Sequence, residues 1–140
     1  VVASSARLHG ALIYTHLTIQ ILERWKGAES SQVDVVVPGG SAGGMHQTFP
    51  GVPVLSQGSE YLLFLWTGSG GLTHVIGLSQ GVFTLERDSD GGQTATRAAT
   101  TDAMVDSRTG RVIADQPVRI RLRDLRSRVK AQRAGEASVQ

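Results

Sequence analysis

Cysteine is absent from this 140-residue chain, and aromatic residues make up only 5% of it. Without cysteine the chain holds no disulfide, thiolate nucleophile or thiolate-bound metal ion. The formal net charge of +2 is too small to indicate a polyanionic partner by itself. The longest apolar run, YLLFLW at 61–66, is far shorter than a bilayer requires. We therefore expect no membrane span and no thiolate metal site. We also expect no cofactor and no other metal, with a zinc site built from distant histidines as the alternative.

What the chain does contain is typical of a small β protein. Its length favours a single domain over residues 1–140. The 17 glycines, together with many Thr, Ser and Val residues, favour strands joined by tight turns. Recurrent turn signals between short apolar segments predict a small barrel or sandwich.

Three segments carry the strongest strand patterns. Residues 12–22 alternate strictly, which predicts a half-buried strand with Tyr14 and His16 on its water-facing side. The segment VDVVV at 33–37 predicts the next strand, which Pro38 ends. Residues 60–66 are apolar on both faces, which predicts a central strand covered on each side.

Glycine-rich segments between strands indicate hairpins. The loops GSGG (68–71), DSDGG (88–92) and SRTG (107–110) each lie between two short β-type segments. A calcium loop beginning at Asp88 would need a ligand at position 92 and a glutamate at position 99, which are Gly92 and Ala99. We therefore expect a turn at 88–92.

The C-terminal segment changes to a helical period. Leu122, Leu125 and Val129 form one apolar stripe, which predicts an amphipathic helix over about 121–134 that stops at Gly135. Its basic residues are one candidate for nucleic-acid contact, although the polar face of a packed helix explains them better. The five considered for this contact are Arg121, Arg123, Arg126, Arg128 and Lys130.

The segment GLSQG at 77–81 fits the G-x-S-x-G pattern of serine esterases. That motif requires a helix after the serine and a histidine later in the chain. Here VFTLER, a strand-like segment, follows Ser79, and all four histidines precede it. We interpret 77–81 as a turn between two strands, and we expect the backbone after residue 81 to stay extended.

A second glycine-rich segment, PGGSAGGMH at 38–46, has the glycine spacing of a phosphate-binding loop. The lysine and the hydroxyl residue that should follow are Met45 and His46 instead. We expect an inter-strand loop here. The histidines form no pair with metal-ligand spacing, so we expect them to be solvated or hydrogen-bonded.

Two stretches resemble known protein groups. Residues 13–27, IYTHLTIQILERWKG, resemble the opening of netrin-like modules, which include the tissue inhibitors of metalloproteinases. Residues 49–88 resemble uncharacterised bacterial proteins that share a GLSQG-x-F segment. The resemblance implies an OB-like, five-stranded barrel with an additional hairpin and a helix. The inhibitors chelate zinc through an N-terminal cysteine, which this chain lacks.

These observations predict an all-β, OB-like domain that is not an enzyme and binds another protein. We expect an exported bacterial protein, periplasmic or extracellular, whose leader lies outside a sequence that begins VVASS. The candidate contact residues lie in the loop at 39–46 and the hairpin at 67–74. They are Met45, His46, Phe49 and His74. Alternatives are nucleic-acid or oligosaccharide binding by an OB-type domain and, remotely, a serine hydrolase that uses Ser79.

Overall fold

A computed structural model describes residues 1–100 and 104–137. These residues form mostly short strands, a single 3-10 turn and one α-helix at the C-terminal end, as the sequence predicted for a small, mostly β fold. The elements are β1 (Ala3–His9), β2 (Leu12–Gln20), β3 (Gln32–Pro38), β4 (Gly40–Ala42), β5 (Met45–Gln47), β6 (Tyr61–Leu63), β7 (Leu65–Thr67), β8 (Thr73–Val75), the 3-10 turn (Leu78–Gly81), β9 (Val82–Arg87), β10 (Gln93–Arg97), β11 (Met104–Val105), β12 (Val112–Ile113), β13 (Val118–Arg121) and α1 (Leu122–Ala137).

Two larger sheets organise the chain. The first has the order β1-β2-β3-β8-β7, and the second has the order β13-β10-β9-β6. All neighbouring strands are antiparallel except β3 and β8, which run parallel. In the part of the chain that the structure describes, the two sheets do not close into one barrel. Here the structure departs from the closed five-stranded barrel that was expected.

The hydrophobic residues form two clusters in three layers. The first cluster, around Leu17 and Val37, lies between the five-stranded sheet and the four-stranded sheet. The second, around Phe83, Ala95 and Leu122, lies between the four-stranded sheet and α1. The four-stranded sheet is therefore the middle layer, and α1 and the five-stranded sheet form the two outer layers.

The apolar segment at 60–66 is not a single central strand, so that prediction was wrong. It divides at Phe64 into β6, an edge of the four-stranded sheet, and β7, an edge of the five-stranded sheet. The division occurs because the Phe64 N–H donates to Gly81 O at 2.9 Å, while the Phe64 carbonyl accepts from Ile76 N–H at 2.8 Å. Both faces are nevertheless covered, as predicted: Leu63 packs in the first cluster and Leu62 in the second.

Strand β2 confirms the alternating pattern over residues 12–20, with Ile13 and Leu17 buried in the core. Its opposite face was expected to meet water, and this was wrong at His16, which is 6% exposed. Neighbouring strands supply the polar partners that make this burial possible, as described below. Strand β1 was not predicted, because ASSARLH carries no clear alternation; it pairs with β2 along its whole length.

The glycine-rich loop after β3 is more ordered than expected. It forms a hairpin in which β4 pairs with β5, and Gly43 and Gly44 turn the chain with φ values of +58° and +76°. Glycine accepts these left-handed values without a steric cost. The predicted hairpins at 68–71, 88–92 and 107–110 are all confirmed by antiparallel pairing of the flanking strands.

The C-terminal helix is confirmed but runs over Leu122–Ala137, so Gly135 lies inside it and does not end it. Leu122 and Leu125 of the predicted apolar stripe pack in the second cluster. In the described residues, no helix has the length and apolar character that a membrane crossing requires.

Candidate functional site

The outer face of the five-stranded sheet, which points away from the first core cluster, carries an unusual set of side chains. Directly paired residues of neighbouring strands project to the same side of a sheet. The strand register therefore aligns one row of side chains across this face. The row is Ser5, His16, Val36, His74 and Trp66.

Four rings form a continuous strip on this face, which we name the aromatic strip: Trp66, His74, Tyr14 and His9. The Trp66 and His74 rings are nearly parallel, with their centroids 4.8 Å apart. His74 meets the Tyr14 ring at 6.0 Å, and Tyr14 meets the His9 ring at 5.4 Å, both in edge-to-face geometry. Such contacts favour particular relative orientations of the rings. Trp66 is 51% exposed even though its ring is held in this way.

A hydrogen-bonded chain of three side chains extends the strip. His16 Nδ1 lies 2.9 Å from Asp34 Oδ2, and His16 Nε2 lies 2.8 Å from His9 Nε2. Since an ionised carboxylate only accepts, His16 Nδ1 carries the hydrogen that is donated to Asp34. These partners satisfy a buried imidazole that would otherwise be costly.

The two imidazole rings meet edge to edge. Their centroids are 5.1 Å apart and their planes differ by 22°. The centroid separation equals the 2.8 Å contact plus about one ring radius on each side, so the two Nε2 atoms lie on the line between the centroids. One nitrogen therefore donates a hydrogen directly to the lone pair of the other.

The residues predicted from sequence lie on two sides of the sheet. His74 belongs to the aromatic strip, whereas Met45 and His46 lie on β5. The β4–β5 hairpin packs on the core-facing side of β1 and β2, because a side chain at Gly40 would meet Ala6 Cβ at 3.1 Å and Ile13 Cγ2 at 3.6 Å. The structure therefore does not bring His74 together with the hairpin residues.

The hairpin has its own polar arrangement. His46 Nδ1 lies 2.7 Å from Ser41 Oγ, and His46 Nε2 lies 3.2 Å from Thr48 Oγ1. Both ring nitrogens thus have hydroxyl partners at an exposed position. Met45 and Phe49 beside it are exposed hydrophobic side chains.

The segment around Ser79 does not have the geometry of a nucleophile elbow. Leu78 takes a left-handed φ of +55°, and the 3-10 turn at 78–81 leads directly into β9. The prediction that the backbone stays extended after residue 81 is confirmed. The helix N-terminus that an elbow places after its serine is replaced by a strand.

Basic residues lie on α1, the opposite outer layer, and on β13 of the middle layer, and several have acidic partners. Arg126 Nη2 lies 2.7 Å from Glu23 Oε2, and its guanidinium lies 5.5 Å from the centre of the Trp25 ring. The hydrogen bond from Arg126 is the main cause of a lowered Glu23 pKa. Arg121 similarly lies 3.0 Å from Asp90 Oδ2.

A shallow polar cleft of about 600 Å³ lies beside the β9–β10 hairpin. Its acids are already engaged: both Asp88 oxygens accept from the Thr94 hydroxyl. The backbone N–H of Gly92, and next Arg121, lower the pKa of Asp90. The cleft is therefore an internally neutralised surface rather than a charged binding site.

Sequence analysis did not single out His9, His16, Asp34 or Trp66 as site residues. The placement of Tyr14 and His16 on the polar side of β2 was visible in the alternation. Their partners come from other strands, so only the register brings them together. No protein-family model, curated protein or solved structure was found to match this chain.

Proposed function

We propose that this chain is a non-enzymatic binding module that docks another protein through the outer face of its five-stranded sheet, with Trp66 at the centre of the contact. One observation carries the proposal: Trp66 is half exposed, yet it is held by its stacking on His74. Tryptophan and tyrosine dominate the energetics of protein interfaces. A ring already held in place loses little conformational freedom when a partner binds.

The surroundings of Trp66 support a protein contact. Residues two apart on a strand share a face, so Leu12 lies beside Tyr14, and Ile76 lies beyond His74 at the end of β8. Both are exposed hydrophobic residues. An apolar centre surrounded by polar groups, such as the half-exposed Asp34, resembles the anatomy of a protein interface.

The proposal includes an OB-like, netrin-like origin for the fold and export from a bacterial cell. The five-stranded sheet combines one parallel pair, β3–β8, with three antiparallel pairs, and this mixed order supports an origin in a five-stranded Greek-key barrel even though the two sheets do not close. The resemblance of residues 13–27 and 49–88 supports the same assignment. Fold alone is an argument by association, so the functional proposal depends on the surface.

The experiment compares Trp66→Ala with a matched control, Val54→Ala, which removes a side chain that is 87% exposed on the segment between β5 and β6. The wild-type chain is used as bait in extract from its source, and the partner is identified by mass spectrometry. Affinity is then measured with the purified partner. Loss of a central interface tryptophan is expected to weaken binding by roughly 2 kcal/mol, or about thirtyfold. Val54→Ala is expected to bind like wild type.

Two outcomes would contradict the proposal. The first is equal affinity of wild type and Trp66→Ala for every partner found. The second is a bait that repeatedly captures nothing beyond an unrelated control domain. Circular dichroism of each variant shows whether the sheet remains folded, which separates lost binding from lost structure.

Stacking of a nucleic acid or an oligosaccharide is the second candidate, because an exposed ring on a strand face suits either ligand. The layer order disfavours nucleic acid: α1, which carries Arg126, lies on the opposite side of the molecule from Trp66. Quenching of tryptophan fluorescence by a single-stranded oligonucleotide that is lost in Trp66→Phe and steeply weakened by salt would favour nucleic acid. Quenching by an oligosaccharide, with no dependence of the quenching on salt, would favour a sugar ligand.

A further inference from the structure

The pair of imidazoles at the end of the aromatic strip has the chemistry of a metal site. His16 is 6% exposed and is oriented by Asp34, which accepts the Nδ1 hydrogen at 2.9 Å. In a neutral imidazole whose Nδ1 carries the hydrogen, Nε2 presents a lone pair. That lone pair points at His9 Nε2, 2.8 Å away.

We infer that His9 and His16 together bind a divalent late transition metal ion, such as Cu²⁺, Ni²⁺ or Zn²⁺, through their two Nε2 atoms. Imidazole nitrogen suits these ions. A histidine that ligates a metal almost always donates its other ring N–H to a carboxylate, a carbonyl or water. His16 and Asp34 already have this arrangement, which fixes both the tautomer and the ring orientation.

A rotation of the exposed His9 ring admits the ion. Zinc–nitrogen bonds of about 2.0–2.1 Å in tetrahedral geometry place two ligating nitrogens roughly 3.3 Å apart. The present 2.8 Å contact must therefore open by about 0.5 Å. Because the two rings now meet on one line, an angle of about 109° at the ion also requires the His9 ring to rotate by roughly 70° while Asp34 holds His16 in place. His9 is the ring that moves, because it is exposed and ends the edge strand β1 immediately before Gly10. Its hydrogen transfers from Nε2 to Nδ1 through the solvent, which frees the second lone pair.

The chain supplies two ligands, and water completes the coordination. In residues 1–100 and 104–137, no three His, Asp or Glu side chains converge on one point. Two neutral nitrogens do not suit Mg²⁺ or Ca²⁺, which prefer oxygen ligands. The nitrogen ligands therefore select late transition metal ions over Mg²⁺ and Ca²⁺. This site is separate from the protein contact proposed above, because metal binding needs no macromolecular partner.

His46 provides a matched control within the same chain. Its two ring nitrogens face the hydroxyls of Ser41 and Thr48, so it has neither a second imidazole nor an orienting carboxylate. Removal of His46 is expected to leave the affinity for metal unchanged. Removal of His9, which is exposed, is expected to lower the affinity to the background of a single histidine without unfolding the sheet.

The experiment titrates Cu²⁺ and Zn²⁺ into the full chain by calorimetry, with Mg²⁺ as a comparison. The expected result is one Cu²⁺ or Zn²⁺ per chain, an electron paramagnetic resonance spectrum of Cu²⁺ that shows two nitrogen ligands, and no uptake of Mg²⁺. The Asp34→Asn variant is expected to bind the metal 10–100-fold more weakly. His16→Ala removes the second ligand and is expected to abolish the site. If this substitution of a buried residue unfolds the chain, the affinity of His9→Ala for the metal decides whether the inference holds.

Several results would overturn the inference. They are absence of a stoichiometric site in wild type, equal affinities of wild type and His9→Ala, or an equal loss in His46→Ala. Failure of this site and failure of the proposed protein contact are distinguishable, because metal affinity is measured on the isolated chain with Trp66 unchanged.

Discussion

Gly81, the last residue of GLSQG, is expected to be the position in that segment where a single methyl group is most damaging. An alanine Cβ there would lie 2.6 Å from Ile76 O, 2.9 Å from Val75 Cγ1 and 3.0 Å from Phe64 O. Two of these three neighbours are backbone atoms, which cannot rotate away. Gly81 itself does not have a left-handed φ, so the cost arises from contact alone.

The size of the destabilisation follows from the atoms that the added Cβ would displace. Overpacking of a filled site costs about 1–3 kcal/mol. Displacement of the backbone would also weaken the hydrogen bonds Phe64 N–H to Gly81 O (2.9 Å) and Ile76 N–H to Phe64 O (2.8 Å). Each such bond contributes about 1 kcal/mol. The free energy of unfolding of Gly81→Ala is therefore expected to fall by about 2–4 kcal/mol.

Thermal and denaturant unfolding measure this effect. In a chain of this size, 1 kcal/mol corresponds to about 3–4 °C, so the midpoint is expected to fall by roughly 6–16 °C. Gly70→Ala is the matched control, since its Cβ would meet no atom within 4 Å. Ser79→Ala tests the central residue of the motif and is expected to change stability by less than about 0.5 kcal/mol. A Gly81→Ala variant as stable as Gly70→Ala would refute the reasoning.

Two further predictions concern the helix and a buried carboxylate. Leu122→Ala is expected to lower the free energy of unfolding, measured with denaturant, by about 2–5 kcal/mol, because Leu122 is buried in the second cluster. The control Leu22→Ala removes a side chain that is 72% exposed and is expected to cost little. Equal losses in the two variants would contradict the layer assignment. The backbone N–H of Thr100, followed by Arg97, holds the pKa of Asp115 below the usual 3.8. Because the folded state has the lower pKa, this contribution to stability is present above the usual value and disappears as the pH falls through the lowered pKa. The difference in free energy of unfolding between wild type and Asp115→Asn should therefore be constant near neutral pH and shrink in strong acid. A difference that grows on acidification would contradict the lowered pKa of Asp115.

The sequence predicted the strands whose evidence is local. Strict alternation over residues 12–20 was enough to identify β2 and its buried side, because the period of two is a property of one strand. The hairpins at 68–71 and 88–92 were predictable because glycine permits the turns they need. Strand β1 was not predictable in this way, because its small and polar residues become a strand only when β2 provides the pairing partner.

Local evidence also misplaced the apolar segment at 60–66. Burial on both faces arises in a central strand, and it arises equally in a segment that passes from one sheet to another. The alternation of Leu62 and Leu63 between the two hydrophobic clusters looks the same in both cases. What distinguishes them is the pair of hydrogen bonds at Phe64, whose partners lie 12 to 17 residues further along the chain.

The same limit applies to the candidate site. Sequence reasoning placed His74 in a contact hairpin, and that assignment stays a prediction. The β7–β8 hairpin sets His74 beside Trp66 locally, but sequence reasoning could not place His74 in line with His16, because that alignment depends on the parallel pairing of β3 with β8 at Val36 and His74. A shift of this pairing by one residue would turn His74 into the core and expose Val75 instead. Val36, 2% exposed between the two imidazoles, disfavours such a shift, because its burial requires both neighbouring rings on the same face. The register that protects this valine is thus also what brings His74 against Tyr14 and so joins the two halves of the aromatic strip.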